Sequence, residues 1–168
     1  MVAALSAAAR LGILVKNVSD LEAASRIDAF LFDKTGTLTT GRLAVERLHP
    51  RDGTAPAALL ETAATAERFS NHPAAAALRD LAAEAEVAIE EPRDVHEESG
   101  QGVRAVAGND TVLCGRADWL RAHGIEDPAL DGDETGDTEG FSVIFVARAG
   151  RYLGWIGLRD RVRKEAAE

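Results

Sequence analysis

Cysteine is almost missing from this chain. Cys114 is the only one in 168 residues, which excludes intramolecular disulfides and thiolate-rich zinc or iron–sulfur centres, and nothing points to an oxidising compartment. Long apolar runs are missing too. No stretch reaches the roughly 18 residues of a spanning helix. The Ala-rich opening from Met1 to Val15 carries Arg10 and has no basic start, so a cleaved signal peptide is not expected. Positive charge is scarce: 19 Lys and Arg face 28 Asp and Glu, a formal net charge of -9. Such a balance offers no basic face to nucleic acid or to an anionic membrane. What is present, 46% hydrophobic and 28% charged residues, describes a soluble globular protein of intracellular type. Its length suits one ordinary domain, or one domain plus part of another.

The hydrophobic pattern divides the chain. Met1 to Arg10 predicts a short helix, Ile13 to Val15 a brief strand and Val18 to Ser25 a second short helix. Ile27 to Phe32 is an apolar run without alternation, which predicts a strand buried on both faces, as in a parallel sheet. Beyond Gly41 the pattern changes. Leu43 to Leu48 alternates like a half-exposed strand, 56–69 predicts a helix opened by Pro56, and a second helix starts at Pro73. Val103 to Ala107 and Thr111 to Cys114 form a hairpin pattern around Gly108–Asn109–Asp110, and Arg116 to His123 suggests a short helix. The acidic stretch 126–139, with no basic residue, reads as a solvated loop. Phe141 to Ala147 and Tyr152 to Leu158 predict a last strand pair turning at Ala149–Gly150, followed by a polar helical end. An α/β opening followed by antiparallel α+β predicts an insertion into an α/β domain whose second half lies beyond Glu168.

Three clusters carry chemistry. The first is Asp33–Lys34–Thr35–Gly36–Thr37–Leu38–Thr39, placed after the expected buried strand. A carboxylate there can attack a phosphoryl group and form an aspartyl phosphate. Turn amides, the hydroxyls, Lys34 and a magnesium ion would stabilise the transferring charge. A strand followed by a polar turn accounts for any few of these residues, but not for the whole run in this context. The second cluster is Glu67, Ser70, His72 and Pro73. Helix capping by Ser70 or Asn71 with Pro73 at the first position explains part of it. The remaining Glu and His could orient a purine, by stacking and by accepting from an exocyclic amine. The third is Gly100–Gln101–Gly102–Val103, either a plain strand-entry turn or a place where backbone approaches a planar base. His49, His96 and His123 read as surface or turn residues, and Cys114 as a small buried hydrophobe.

The first run resembles the phosphorylation signature of the P-type ATPases, ion pumps of the haloacid-dehalogenase-like phosphotransferase superfamily. That resemblance implies Asp33 as the phosphorylated residue, with Lys34, Thr35 and Thr37 beside it. It also implies magnesium held by the Asp33 carboxylate and the Thr35 backbone carbonyl. Related phosphatases carry a second Asp two residues after the nucleophile. Thr35 stands there instead and cannot activate water at neutral pH, so the phosphoenzyme should persist. Ser70-x-His72-Pro73 with its preceding Glu67 is similar to the nucleotide-domain mark of the heavy-metal pumps. There the resemblance puts Glu67 and His72 at the adenine, with Gly100, Gly102 and Val103 lining its pocket. Cys114 to Leu120 looks like the family's Gly-Asn-x-x-Trp-Leu stretch near ribose and phosphates. It supplies Gly115 and, in place of the usual Asn, Arg116, whose guanidinium can meet a phosphate; Trp119 reads as a core anchor. Asp160-x-x-Arg163 resembles the family's return hinge without its Pro, and Arg163 is open between a phosphate contact and a solvated helix start.

The fold expected is α+β: an antiparallel sheet with flanking helices, the nucleotide-binding domain, inserted into an incomplete haloacid-dehalogenase-like α/β phosphorylation domain. The boundaries are 1–42 for the first part of the phosphorylation domain, 43–157 for the nucleotide domain and 158–168 for the return hinge. ATP and magnesium are the implied ligands, and the rest of the pump, with its membrane and actuator domains, the implied partner. The expected place is the cytoplasmic region of an integral membrane protein. No nucleic acid is expected, nor a transported metal on this segment; copper leads the cargo candidates, with zinc, cadmium and cobalt open. The rival classes are a soluble phosphotransferase or phosphatase and a non-catalytic nucleotide-binding module.

Overall fold

The computed structural model describes residues 2–24, 26–135, 138, 140–163 and 166. Two units divide the chain, Met1–Asp33 and Lys34–Glu168. The first contains α1 (Val2–Arg10) and α2 (Val18–Ala24), both at the expected places; Ser25 lies outside the described residues. Beyond α1, Gly12 takes a φ of +75° and the Ile13 N–H donates to Ala8 O at 2.9 Å, a left-handed helix stop. Residues 13–15 form no strand. Nor do residues 27–32: Phe30 is 71% exposed and Leu31 fully so. A strand buried on both faces needs parallel neighbours and covering layers. The sheet among the described residues is antiparallel and starts at Thr39.

The second unit opens with a π-helical turn, Lys34–Leu38, and holds six strands in the order β1-β6-β5-β4-β3-β2, every neighbouring pair antiparallel. These are β1 (Thr39–Pro50), β2 (Arg93–Glu98), β3 (Gly102–Ala107), β4 (Asp110–Gly115), β5 (Ser142–Arg148) and β6 (Arg151–Val162). The helices are α3 (Pro56–Ala66), α4 (Pro73–Glu84), α5 (Ala117–Ala122) and α6 (Pro128–Thr135). Pro56 and Pro73 open α3 and α4, where a missing N–H costs nothing. Strand alternation then sorts the sheet faces. Val112, Cys114, Val146 and Ile156 pack with Leu59, Leu60, Ala63 and Leu78 of α3 and α4. Leu113, Phe145, Ala147 and Trp155 pack with Trp119, Leu120 and Leu130 of α5 and α6.

Three elements depart from the sequence pattern. The stretch 126–139 is not a bare loop, because α6 forms within it. Leu130 is fully buried, Asp127 caps the entry by accepting from Ala129 N, Asp131 pairs with Arg121, and Tyr152 donates to Asp133 at 2.8 Å. A buried leucine and positive partners across the fold decide this, where charge content alone suggested solvation. The strand β2 had no sequence signal. Arg93–Glu98 is polar and mostly exposed because it is an edge strand. At the other end β6 runs on through Arg159–Val162 beside β1, where a polar helix was expected, since Leu43 and Ala44 pair with Asp160 and Arg159.

Candidate functional site

Loop 67–72, the β2–β3 turn and the β4–α5 junction enclose a cavity of about 290 Å³. Glu67, His72, Gly100, Gly102, Val103, Gly115 and Arg116, far apart in sequence, all line it. Glu67 follows α3 as its C-cap and is 8% exposed. Among the described residues its Oε2 has no hydrogen-bond partner. Burial pushes the Glu67 carboxyl above its ordinary value, and Glu97 adds to that. The Ser70 hydroxyl, His72 and Arg79 pull it back down. A buried carboxylate oxygen left unpaired at a cavity wall is an acceptor waiting for a donor.

His72 itself caps α4, a role the sequence pattern assigns to Ser70 or Asn71. Its Nδ1 accepts from the Ala74 N–H at 3.2 Å, and it also lines the cavity. Neither Ser70 nor Asn71 is the cap: Ser70 Oγ accepts from His72 N. With Nδ1 an acceptor, the neutral ring carries its proton on Nε2.

The glycines divide by cause. Gly102 and Gly115 are register partners on β3 and β4. A Cβ on Gly102 would meet Trp119 Cε3 at 2.6 Å, and one on Gly115 would meet Gln101 O at 2.5 Å. Close strand and Trp119 packing therefore requires both, whatever occupies the cavity. Gly100 differs, with φ +71° and open space around it, so backbone conformation alone selects it. Arg116 is exposed at the N-cap of α5, anchored by its N–H to Gln101 O at 2.9 Å.

The phosphorylation motif spans the two units. Asp33 is exposed at the end of the first; Gly36 and Thr37 are exposed in the turn that opens the second. Thr39 is buried, its hydroxyl donating to Asp160 Oδ2 and accepting from Gly36 N. Arg163 is exposed just past the end of β6. Its Nε donates to Thr39 O and its Nη2 to Gly36 O, both at 3.1 Å. Among the described residues no group of three or more His, Cys, Asp or Glu could hold a metal. The donors implied for magnesium, a carboxylate and a peptide carbonyl, are the hard oxygens that ion prefers.

Several cavity residues had no functional signal in the sequence. Glu97 and Glu98 enter from the unrecognised β2, and Ser142, Val143 and Ile144 from β5, brought there by strand register. Cys114 is also in the wall. Burial, then Glu67, pushes its thiol well up, so it stays protonated and inert. His49 and His123 lie at the surface as expected, where one stacks on Trp155 and the other has its ring centroid 4.1 Å from that of Trp119.

A family model for haloacid dehalogenase-like hydrolases matches residues 27–168, and the chain belongs to that family. Within it the relatives are metal pumps. A zinc-transporting ATPase of Synechocystis sp. (strain ATCC 27184 / PCC 6803 / Kazusa) is 34% identical over 98% of this chain and 22% of its own length. A probable copper-exporting P-type ATPase of Archaeoglobus fulgidus is 37% identical over 94% of this chain and 19% of its own. The chain thus spans only a minor part of these relatives' length. Among solved structures, the catalytic domain of the CPx-ATPase CopB-B, determined for its conformational changes upon nucleotide binding, matches with a TM-score of 0.66 at 27% identity. That match covers 90% of this chain and 51% of the other. The resemblance to heavy-metal P-type ATPases is borne out, as is the α+β architecture.

Proposed function

We propose that this chain is the ATP-binding cytosolic region of a heavy-metal cation-translocating P-type ATPase. Residues 43–157 would be its nucleotide-binding domain, flanked by 1–42 from the phosphorylation domain and by the return hinge 158–168. The observation that carries this reading is the cavity, where Glu67, His72, Gly100, Gly102, Val103, Gly115 and Arg116 meet around an unpaired buried carboxylate oxygen. Glu67 accepts from the 6-amino group of adenine, which would fill the vacant place at Oε2. Guanine presents a carbonyl at that position, and two acceptors facing each other repel, so the site selects ATP over GTP. His72 lies against the base, held by its cap to Ala74, and Arg116 at the exposed rim meets the phosphates.

In the intact pump the γ-phosphoryl group passes to Asp33, with Lys34, Thr35 and Thr37 around it, and hydrolysis of that intermediate drives metal export. Magnesium, when held by Asp33 and the Thr35 carbonyl, supplies charge neutralisation at the transferring phosphoryl. For this chain alone we expect nucleotide binding without turnover. The test is a calorimetric titration with ATP, ADP, AMP and GTP, run on the wild type, Glu67→Ala and His72→Ala. Adenine-selective binding, weakened in both variants, is the expected result. Folded protein with no adenine preference would overturn the assignment, and sustained ATP hydrolysis abolished by Asp33→Asn would overturn the expectation of no turnover.

A further inference from the structure

Both base-facing side chains sit on a short crossing between two helices. α3 ends at Ala66, and a helix end leaves its last carbonyls without intrahelical partners. The chain then runs from Glu67 to His72, where α4 is capped. Internal bonds in this crossing are few: Ser70 N donates to Glu67 O, and His72 N to Ser70 Oγ, each at 3.2 Å. Arg79 adds a second set from α4, beside the bond that Arg68 Nη1 donates to Ile89 O at 3.2 Å. Arg79 Nη1 donates to Glu67 O at 2.8 Å and Ser70 O at 3.1 Å, with Arg68 O at 3.4 Å. Two turns into α4, Arg79 lies on the same helix stripe as His72, and its side chain reaches back along that stripe. The guanidinium is half-buried, places positive charge at the C-terminal end of α3 and takes no part in the cavity wall.

We propose that Arg79 is a positioning residue for base recognition: it gathers the carbonyls of the 67–72 crossing so that Glu67 and His72 together face the cavity. Granted adenine recognition in that cavity, on which this rests, Arg79 governs which base is preferred without touching the nucleotide. Its loss therefore acts on the base and not on the phosphates. A role confined to holding the fold together would weaken every nucleotide alike.

The experiment measures ATP and GTP affinities by calorimetry on the wild type, Arg79→Met and Arg79→Lys, with melting curves to show that each is folded. In Arg79→Met, ATP affinity should fall on the order of tenfold, as when one charge-assisted hydrogen bond is lost, while GTP affinity holds. Arg79→Lys, which keeps a cationic donor, should restore part of the preference. Should Arg79→Met fail to fold, Arg79→Gln, with two donors and no charge, takes its place under the same criterion. A folded variant with the wild-type ATP-to-GTP ratio overturns the positioning role and leaves the site reading intact. A wild type without adenine preference overturns the site reading, and this inference with it.

Discussion

Glu67→Gln separates two demands on one carboxyl. In the free protein Oε2 is buried without a partner among the described residues. Burial and Glu97 raise the group above 4.5 against the pull of Ser70, His72 and Arg79. An acid raised by folding favours the fold in its protonated form. Its contribution is fully present below the unfolded value and is lost as the pH rises through the folded one. At mildly alkaline pH the wild type therefore holds a desolvated negative charge, whereas Gln of nearly the same shape has no charge to desolvate. A buried acceptor left unmade costs about 1–3 kcal/mol and more when charged, so the variant should gain about 1 kcal/mol, or about 2–4 °C in melting temperature. The gain should vanish below the unfolded value of 4.5. ATP affinity should move the opposite way. A hydrogen bond to a charged acceptor is worth about 1.5–3 kcal/mol against about 0.5–1.5 for a neutral one, so Kd rises roughly fivefold to tenfold. Scanning calorimetry from acid to mildly alkaline pH, with ATP titrations beside it, reads both effects. A variant that melts below the wild type at alkaline pH, or a difference that ignores pH, refutes the reasoning.

Two further outcomes follow from the packing. Gly102→Ala puts a Cβ 2.6 Å from Trp119 Cε3 and 2.7 Å from Cys114 O. Overpacking of this kind costs about 1–3 kcal/mol. Its melting point should drop without any nucleotide present, and an unchanged melt would return that glycine to a purely ligand-facing role. Tyr152→Phe removes the 2.8 Å bond to Asp133 and should cost about 1–2 kcal/mol. Amide exchange should quicken across Pro128–Thr135 and stay slow in β6; uniform protection would mean that the Tyr152–Asp133 bond does not hold α6.

Much of the fold was legible because its signals are local. Pro56 and Pro73 start helices by their own φ, and Gly108 turns β3 into β4 by taking a φ of +60°. The β5–β6 pair follows from apolar content near the turn at Ala149–Gly150. The chemical motifs were legible for the same reason: a few adjacent residue types define them before any folding. Where a partner remote in sequence decides the outcome, local signals mislead. Ile27–Phe32 has a strand's composition but no sheet neighbours among the described residues. In 126–139, Arg121, Tyr152 and the burial of Leu130 turn acidic sequence into helix.

Sequence by itself settled which groups could do chemistry here, since a carboxylate, an imidazole or a missing side chain has its properties wherever it stands. Tertiary structure decided their company. Strand register set Gly102 against Gly115, the α3–α4 crossing brought Glu67 and His72 to the same cavity, and β2 carried Glu97 there from an edge with no hydrophobic pattern. It also decided that Arg163 reaches the carbonyls of Gly36 and Thr39, and that His72 both caps a helix and lines the cavity. Distance and desolvation are properties of pairs, and pairs remote in sequence exist only once the chain has folded.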